Sequence, residues 1–175
     1  MEEKQVTIGT NTYPLPRPFL VFATQNPVEQ EGTYRLPEAQ VDRFLFKVNI
    51  DYPSAQDEKE ILRLSSGNTE KIIPVMQAEE LLEAQQGIQN VYVDDKVVDY
   101  ITTIVQATRY PKNHNLDELD QLIECGASPR ATLGLYKASQ AQAMVQGRHF
   151  VTPDDVKAIV HATLRHRITT TYQAE

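Results

Sequence analysis

The first fifty residues carry short apolar runs separated by polar turns, a pattern typical of β-strands. Gln5–Ile8 and residues 13–15 flank a polar turn that contains Gly9, which predicts a β-hairpin. Residues 19–23 form a continuous apolar run, as expected for a strand that is buried on both faces of an α/β sheet. Residues 44–50 alternate more and predict a further strand.

After Pro53 the apolar positions follow the spacing of α-helices. Ser54 and Asp57 resemble a capping box at the start of the first of these helices. Further along, one amphipathic face is formed by Val97, Val98, Ile101, Ile104 and Val105. Between the two predicted strands, the residues Glu38–Val41 are expected to form a short helix.

Two proline-containing helix starts mark the last third of the chain. Ser128-Pro129 and Thr152-Pro153 each place a capping side chain before a proline at the first helical position. We predict that the first of these helices ends at Gly147 and that its buried side consists of Ala131, Leu135, Ala138, Ala141 and Val145.

Strands followed by at least four helices predict an α+β chain whose two pieces have separate cores. A strand buried on both faces, such as residues 19–23, needs neighbouring strands and covering layers, and about fifty residues cannot supply them. We therefore expect the remainder of this first piece to lie upstream or in another chain.

The amino-acid composition argues against several classes of function. The 175 residues hold 17 Lys and Arg against 24 Asp and Glu, a net charge of −7, and phosphate contacts need clustered cations, so we expect no general nucleic-acid binding. The single cysteine, Cys125, excludes an internal disulfide, which is consistent with a cytoplasmic setting. No apolar run approaches the roughly 20 residues that span a bilayer, and the acidic N-terminus is no signal peptide, so we expect no stable membrane insertion.

Three polar residues occupy positions where chemistry could take place. Asn26 follows the apolar run 19–23, and ligands of open α/β sheets bind beyond the carboxyl ends of strands, although Asn-Pro is also a common turn. Arg43 could present its guanidinium to a neighbouring subunit's phosphate, or pair with Asp42 at the surface. Arg130 lies in the first turn of a helix, where a cation opposes the helix dipole; a bound phosphate would explain it, and a solvated arginine is the alternative.

Several catalytic motifs do not occur in the sequence. No segment matches the phosphate-binding loop G-x-x-x-x-G-K-[ST], and no apolar run ends in Asp-Glu as a Walker B strand does. The motifs H-E-x-x-H and paired C-x-x-C are also missing, and the four histidines are scattered. We therefore predict no metal site in this chain.

Three segments of the chain resemble the MoxR family of AAA+ ATPases. The longest match is FATQNPVEQEGTY at 22–34 together with LPEAQVDRF at 36–44. The second is GASPRA at 126–131, and the third is VTPDDV at 151–156 followed by LRHR at 164–167. The three segments follow the family's order and span nearly the whole chain.

This resemblance implies a fold and a role for each candidate residue. Residues 1–64 correspond to the C-terminal part of the AAA+ core, and residues 65–175 to the helical lid domain. The expected fold class is thus α+β: a few strands of a truncated α/β P-loop NTPase core followed by an all-α lid bundle. Asn26 matches the sensor 1 asparagine, which helps to place the attacking water. Arg43 matches the arginine finger, which acts on a neighbour's nucleotide, and Arg130 matches the sensor 2 arginine, which contacts phosphate.

The resemblance also implies cofactors and partners. The full-length protein is expected to use ATP and Mg²⁺, to assemble into a ring, expected to be a hexamer, and to remodel or mature client proteins, often ones with von Willebrand factor A domains. Because the family's Walker A and Walker B segments are missing, we expect a fragment that is inactive alone and binds no cofactor tightly.

Two alternatives remain open from the sequence. One is a magnesium-chelatase-like AAA+ motor subunit, which has similar sensor and finger positions. The other is a non-enzymatic helical adaptor that docks a partner on an amphipathic face. The run at residues 25–32 favours MoxR over the chelatase.

Overall fold

The computed structural model describes residues 4–25, 37–65 and 72–174. Strands β1 (Gln5–Ile8) and β2 (Asn11–Pro14) form an antiparallel hairpin. Gly9 takes a φ of +64° in the two-residue turn, a conformation that glycine adopts without steric cost. The predicted hairpin is confirmed, although its second strand begins two residues earlier than the sequence indicated.

The two longer apolar segments are not strands. Residues 19–23 and 44–50 have no partner strand among the described residues, so neither segment takes part in a β-sheet. Phe22 and Ile50 are accordingly 88% and 92% exposed. The prediction of strands is therefore wrong for this structure, and the described residues contain only two-stranded sheets in place of the expected part of an α/β core.

The short helices of the first half add little to the core. Helix α1 (Glu38–Val41) forms where the sequence predicts it. Helix α2 (Ala55–Ser65) begins with the predicted capping box, because Ser54 N donates to Asp57 Oδ2 at 3.0 Å and Asp57 N donates to Ser54 Oγ at 3.2 Å. Neither α2 nor α3 (Ala78–Gly87) buries a residue.

The hydrophobic core lies between three longer helices, α4 (Asp95–Arg109), α5 (Pro129–Val145) and α6 (Pro153–Leu164). Helix α4 starts at Asp94, whose carboxylate accepts a hydrogen bond from Lys96 N at 2.9 Å. The core consists of Val91, Val97, Ile101, Val105, Ala127, Ala131, Leu135, Ala143, Val151, Val156 and Leu164. The helical periodicity predicts five of these positions: Val97, Ile101, Val105, Ala131 and Leu135.

Burial along α5 ends earlier than predicted. Ala143 is fully buried, but Val145 is exposed because the helix leaves the core in its last turn. Gly147 has a φ of +70°, and Arg148 N donates to Ala143 O at 2.9 Å, which closes the helix end. The predicted burial of Val145 is therefore wrong, while the stop at Gly147 is confirmed.

A second small sheet brings the end of the chain beside the start of α5. Strand β3 (Ile123–Cys125) pairs antiparallel with β4 (Thr169–Thr170). The segment that joins α6 to β4 is thereby held next to α5. Of the helices that the structure describes, none is long and apolar enough to cross a bilayer.

Candidate functional site

Arg43 lies in the turn that follows α1, and its side chain is exposed. The surface pair with Asp42 that the sequence allows is not among the ion pairs of the described residues. The reason is that the Asp42 carboxylate points to α5 and to the residues after α6, where other donors bind it. Arg43 and Asp42, although adjacent, therefore face different surroundings.

The carboxylate of Asp42 is the centre of a polar cluster. Ser128 Oγ lies 3.0 Å from both carboxylate oxygens and donates to them. Arg130 Nη1 donates to Oδ2 at 3.3 Å, and Arg167 Nε donates to Oδ1 at 3.0 Å. We name these four residues the Asp42 cluster. It connects the turn after α1 with the beginning of α5 and the end of α6.

The acidic and the basic side chains of this cluster both remain charged. Burial by itself would raise the pKa of Asp42, but the hydrogen bonds from Ser128, Arg130 and Arg167 outweigh it, so the pKa lies below its ordinary value. Burial lowers the pKa of Arg167, and the hydrogen bond to Asp42 opposes that effect. An arginine starts from so high a pKa that it remains charged. The cluster is therefore ionic at neutral pH.

Arg167 anchors the chain on both sides of Arg43. Its side chain is 3% exposed, and it donates to Asp42 O at 3.1 Å, to Phe44 O at 2.6 Å and to Leu45 O at 3.3 Å. A further bond goes to Thr163 O in α6 at 2.6 Å. Together with the Asp42 carboxylate, these acceptors use all three nitrogens of the guanidinium. Only a planar fork with several donors can satisfy such a set.

The neighbouring His166 holds the same segment. Its Nε2 lies 2.9 Å from Phe44 O, while Nδ1 is buried without a hydrogen-bond partner among the described residues. Nε2 must therefore carry the proton, because the carbonyl only accepts. Burial lowers the pKa of His166, and the positive charge of Arg167 adds to this effect, so the neutral ring is favoured. Lys47 N also donates to Ala162 O at 2.8 Å, which extends the attachment.

The loop before α5 is fixed by close backbone packing. A Cβ on Gly126 would lie 2.4 Å from Thr108 O, so only glycine can occupy this position without a shift. Ala127 is fully buried; its N–H donates to Thr108 Oγ1 at 3.0 Å, and its carbonyl accepts from Arg109 Nε at 2.6 Å. Close packing against Thr108 and Arg109 thus explains the first two residues of the GASPRA segment.

The start of α5 already holds an anion from this chain. Ser128 Oγ accepts from Arg130 N at 3.2 Å and caps the helix as predicted. The same hydroxyl and the Arg130 side chain contact the Asp42 carboxylate. A negative charge at a helix N-terminus is favourable, and it offsets the unfavourable placement of a cation there. The anion that the sequence led us to expect near Arg130 is, in this structure, a carboxylate.

A second ion pair stabilises the start of α6. The Asp155 carboxylate accepts from both terminal nitrogens of Arg148, and from Thr152 N and Thr152 Oγ1 at 2.8 Å each. These hydrogen bonds, above all those from Arg148, lower the pKa of Asp155 to about 2. None of them reaches the Asp42 cluster. We therefore regard the pair as structural.

The three predicted site residues have different outcomes. Asn26 lies outside the described residues. Arg43 and Arg130 are linked through Asp42, which neighbours the first in sequence and binds the second. The sequence indicates Asp42 only as a surface partner of Arg43 and singles out no separate role for Arg167. Within the described ranges, no group of three or more His, Cys, Asp or Glu side chains could hold a metal.

Two family models match the chain at its ends. Residues 1–46 match the ATPase family associated with various cellular activities (AAA), and residues 118–175 match the AAA lid domain. Chaperone MoxR1 of Mycobacterium tuberculosis is 44% identical over 174 residues, which is 99% of this chain and 46% of that protein. The chain belongs to the MoxR family of AAA+ ATPases.

Two further relatives and a solved structure are also similar to this MoxR-family chain. The uncharacterized protein YeaC of Bacillus subtilis is 44% identical over 96% of this chain and 50% of its own length, and Protein MoxR of Paracoccus denitrificans is 26% identical over 96% and 53%. A crystal structure of a candidate ATPase from Cytophaga hutchinsonii superposes with a TM-score of 0.92 at 42% identity, over 99% of this chain and 53% of that one. The chain thus spans about half the length of the curated relatives it matches.

Proposed function

We propose that this chain works as the C-terminal part of a ring-forming MoxR-type ATPase. In this proposal, residues 1–64 complete the ATPase core and residues 65–175 form the lid. Arg43 reaches the nucleotide of a neighbouring subunit, Arg130 contacts phosphate, and Asn26 helps to position the attacking water. The observation that carries the proposal is the placement of Arg43: an exposed guanidinium on a main chain that is fixed on both sides.

An arginine finger needs this combination of exposure and rigidity. Phosphoryl transfer depends on positioning and on stabilising the charge that develops on the phosphoryl oxygens. A guanidinium supplied by a second subunit raises the rate by roughly 10³–10⁵-fold. Because a loose side chain would lose much of that effect, the backbone attachment of residues 42–45 supports the role.

The surroundings of Arg130 support a phosphate contact. The beginning of α5 attracts anions through its backbone N–H groups and dipole. The bond from Arg130 to Asp42 is 3.3 Å long, and the arginine side chain is 43% exposed. Nearly half of the Arg130 side chain is therefore open to solvent, where a phosphate could reach its guanidinium.

The exposed apolar segments favour a larger assembly. Residues 19–23 and 44–50 carry large apolar side chains that are exposed in the described structure, above all Phe22 and Ile50. We propose that both segments join the parallel sheet of the complete ATPase. Mg²⁺ would accompany ATP there, and this chain alone would not turn ATP over.

The biological setting follows from the relatives by analogy. One relative is named a chaperone, which favours client-protein remodelling as the output of ATP hydrolysis. We propose a cytoplasmic hexameric ring whose clients include proteins with von Willebrand factor A domains.

The test is a subunit-mixing assay on the full-length protein. Arg43→Ala subunits and subunits that lack the phosphate-binding loop lysine should each be inactive alone. Mixing them should restore ATP turnover, because the second subunit supplies an intact Arg43 to the first subunit's nucleotide. Asp51→Ala, a change in the same region without an assigned role, serves as the control and should keep normal turnover. Full activity of Arg43→Ala alone would refute the finger role.

A further inference from the structure

We propose that Arg167, acting with Asp42, is a positioning residue for ATP hydrolysis that holds Arg43 in place for the neighbouring subunit. The inference rests on the proposed role of Arg43. Arg167 itself is buried and cannot reach a neighbour's nucleotide, so its effect has to pass through the main chain that it binds.

The hydrogen bonds of Arg167 surround Arg43 without touching its side chain. They end on Asp42 O, Phe44 O and Leu45 O, so the carbonyls on both sides of Arg43 are fixed. His166 adds a second donor to Phe44 O. The peptide units that flank Arg43 are thereby tied to residues at the end of α6, while the guanidinium of Arg43 remains exposed.

The same residues connect Arg43 to the proposed phosphate contact. The Asp42 carboxylate binds Arg167 on one oxygen and Arg130 on the other. When Arg130 turns to a phosphate, Asp42 keeps its bonds to Arg167 and Ser128, so the position of Arg43 is preserved during this exchange. Arg167 is therefore the fixed point, and Arg130 the exchangeable partner.

Lysine at position 167 would keep the charge and lose the geometry. An ammonium has three donors at one nitrogen, whereas the observed bonds leave from three separate nitrogens of a planar fork. We expect the turn that contains Arg43 to shift as a result. A misplacement of about 1 Å in a catalytic group can lower the rate by roughly 100-fold.

The experiment measures ATP turnover of the full-length protein with Arg167→Lys. We expect kcat to fall by roughly 100-fold while KM for ATP changes by less than about twofold, because the variant subunit's own nucleotide contacts are retained. Mixing with subunits that lack the phosphate-binding loop lysine but carry an intact Arg43 should restore turnover. A purely structural defect would not be repaired by a neighbour.

The matched control is Arg148→Lys. Arg148 also forms a paired contact with a largely buried carboxylate, but that contact is with Asp155 at the start of α6. This variant should lose stability and keep its kcat. The positioning role is overturned if Arg167→Lys keeps normal kcat, if its defect lies in KM alone, or if mixing restores nothing.

A second variant separates positioning from folding. Asp42→Asn keeps every main-chain carbonyl and one acceptor oxygen on the side chain. Its kcat should fall by about 10-fold, and mixing with subunits that carry an intact Arg43 should restore it. If neither variant assembles into rings by size-exclusion chromatography, these residues act in folding and the inference is wrong. If Arg43→Ala is itself active, the proposed function has failed, independently of Arg167.

Discussion

Replacing Asp155 with asparagine removes a negative charge that stabilises the start of α6. The carboxylate accepts hydrogen bonds from Arg148 and Thr152, and its pKa is lowered from 3.8 to about 2. The difference is 3.8 − 2, about 1.8 pKa units, and each unit corresponds to about 1.36 kcal/mol. We therefore predict that Asp155→Asn lowers the free energy of unfolding at pH 7 by about 2.4 kcal/mol.

The effect must depend on pH in one direction. The pKa of Asp155 is lower in the folded state than in the unfolded state, so its stabilisation is complete well above pH 3.8 and is lost as pH falls toward 2. At pH 3 the unfolded chain is mostly protonated at this position while the folded chain is mostly ionised. The difference between the wild type and Asp155→Asn should then be about 1.3 kcal/mol, roughly half its value at neutral pH.

The assay is urea unfolding of the chain, followed by circular dichroism at 222 nm at pH 7 and at pH 3. The control is Asp154→Asn, because Asp154 is the adjacent residue in the same helical turn, is exposed, and forms its ion pair with Lys157 at the surface. It should lose less than about 1 kcal/mol. The reasoning is refuted if the two variants lose equal stability at pH 7, or if the Asp155→Asn difference is unchanged at pH 3.

Two further predictions concern packing and histidine ionisation. Gly126→Ala should lower the free energy of unfolding by roughly 1–3 kcal/mol, because its Cβ would lie 2.4 Å from Thr108 O. Gly87→Ala should lower it by less than about 1 kcal/mol, because the nearest neighbour of the new Cβ is the movable end of Met144. Thermal unfolding of both variants tests this difference. The pKa of His166 is lowered in the folded state, so the unfolded chain binds the proton first and stability should fall as pH drops below about 6.5. His166→Gln should remove that part of the loss between pH 7 and 5, and an identical pH profile for the two proteins would contradict the assignment.

The helix starts could be predicted from the sequence because their signals are local. The caps at Ser54, Ser128 and Thr152 each act within three residues, and the structure has a helix after every one. Strand formation depends on pairing with distant residues. Residues 19–23 have the composition of a buried strand, yet no partner strand lies within the described part of the chain. Composition alone therefore predicted a strand that this structure lacks.

The candidate site was predicted only in part for the same reason. Arg130 could be singled out because a cation at a helix start is unfavourable, which is a local argument. Its partner Asp42 lies 88 residues earlier, and Arg167 lies 125 residues after Asp42. No short-range pattern reports such pairs. The resemblance included both segments without indicating that they touch.

The arrangement of the Asp42 cluster bears on how a nucleotide would be sensed. Arg167 binds Asp42 at 3.0 Å with 3% of its side chain exposed, whereas Arg130 binds it at 3.3 Å with 43% exposed. Breaking a buried ion pair costs roughly 3–5 kcal/mol, and breaking a pair whose arginine is partly exposed costs less. An arriving phosphate would therefore draw away Arg130 and leave Arg167 in place. Under the proposed function, the lid could respond to nucleotide while the turn that carries Arg43 keeps its position toward the neighbouring subunit.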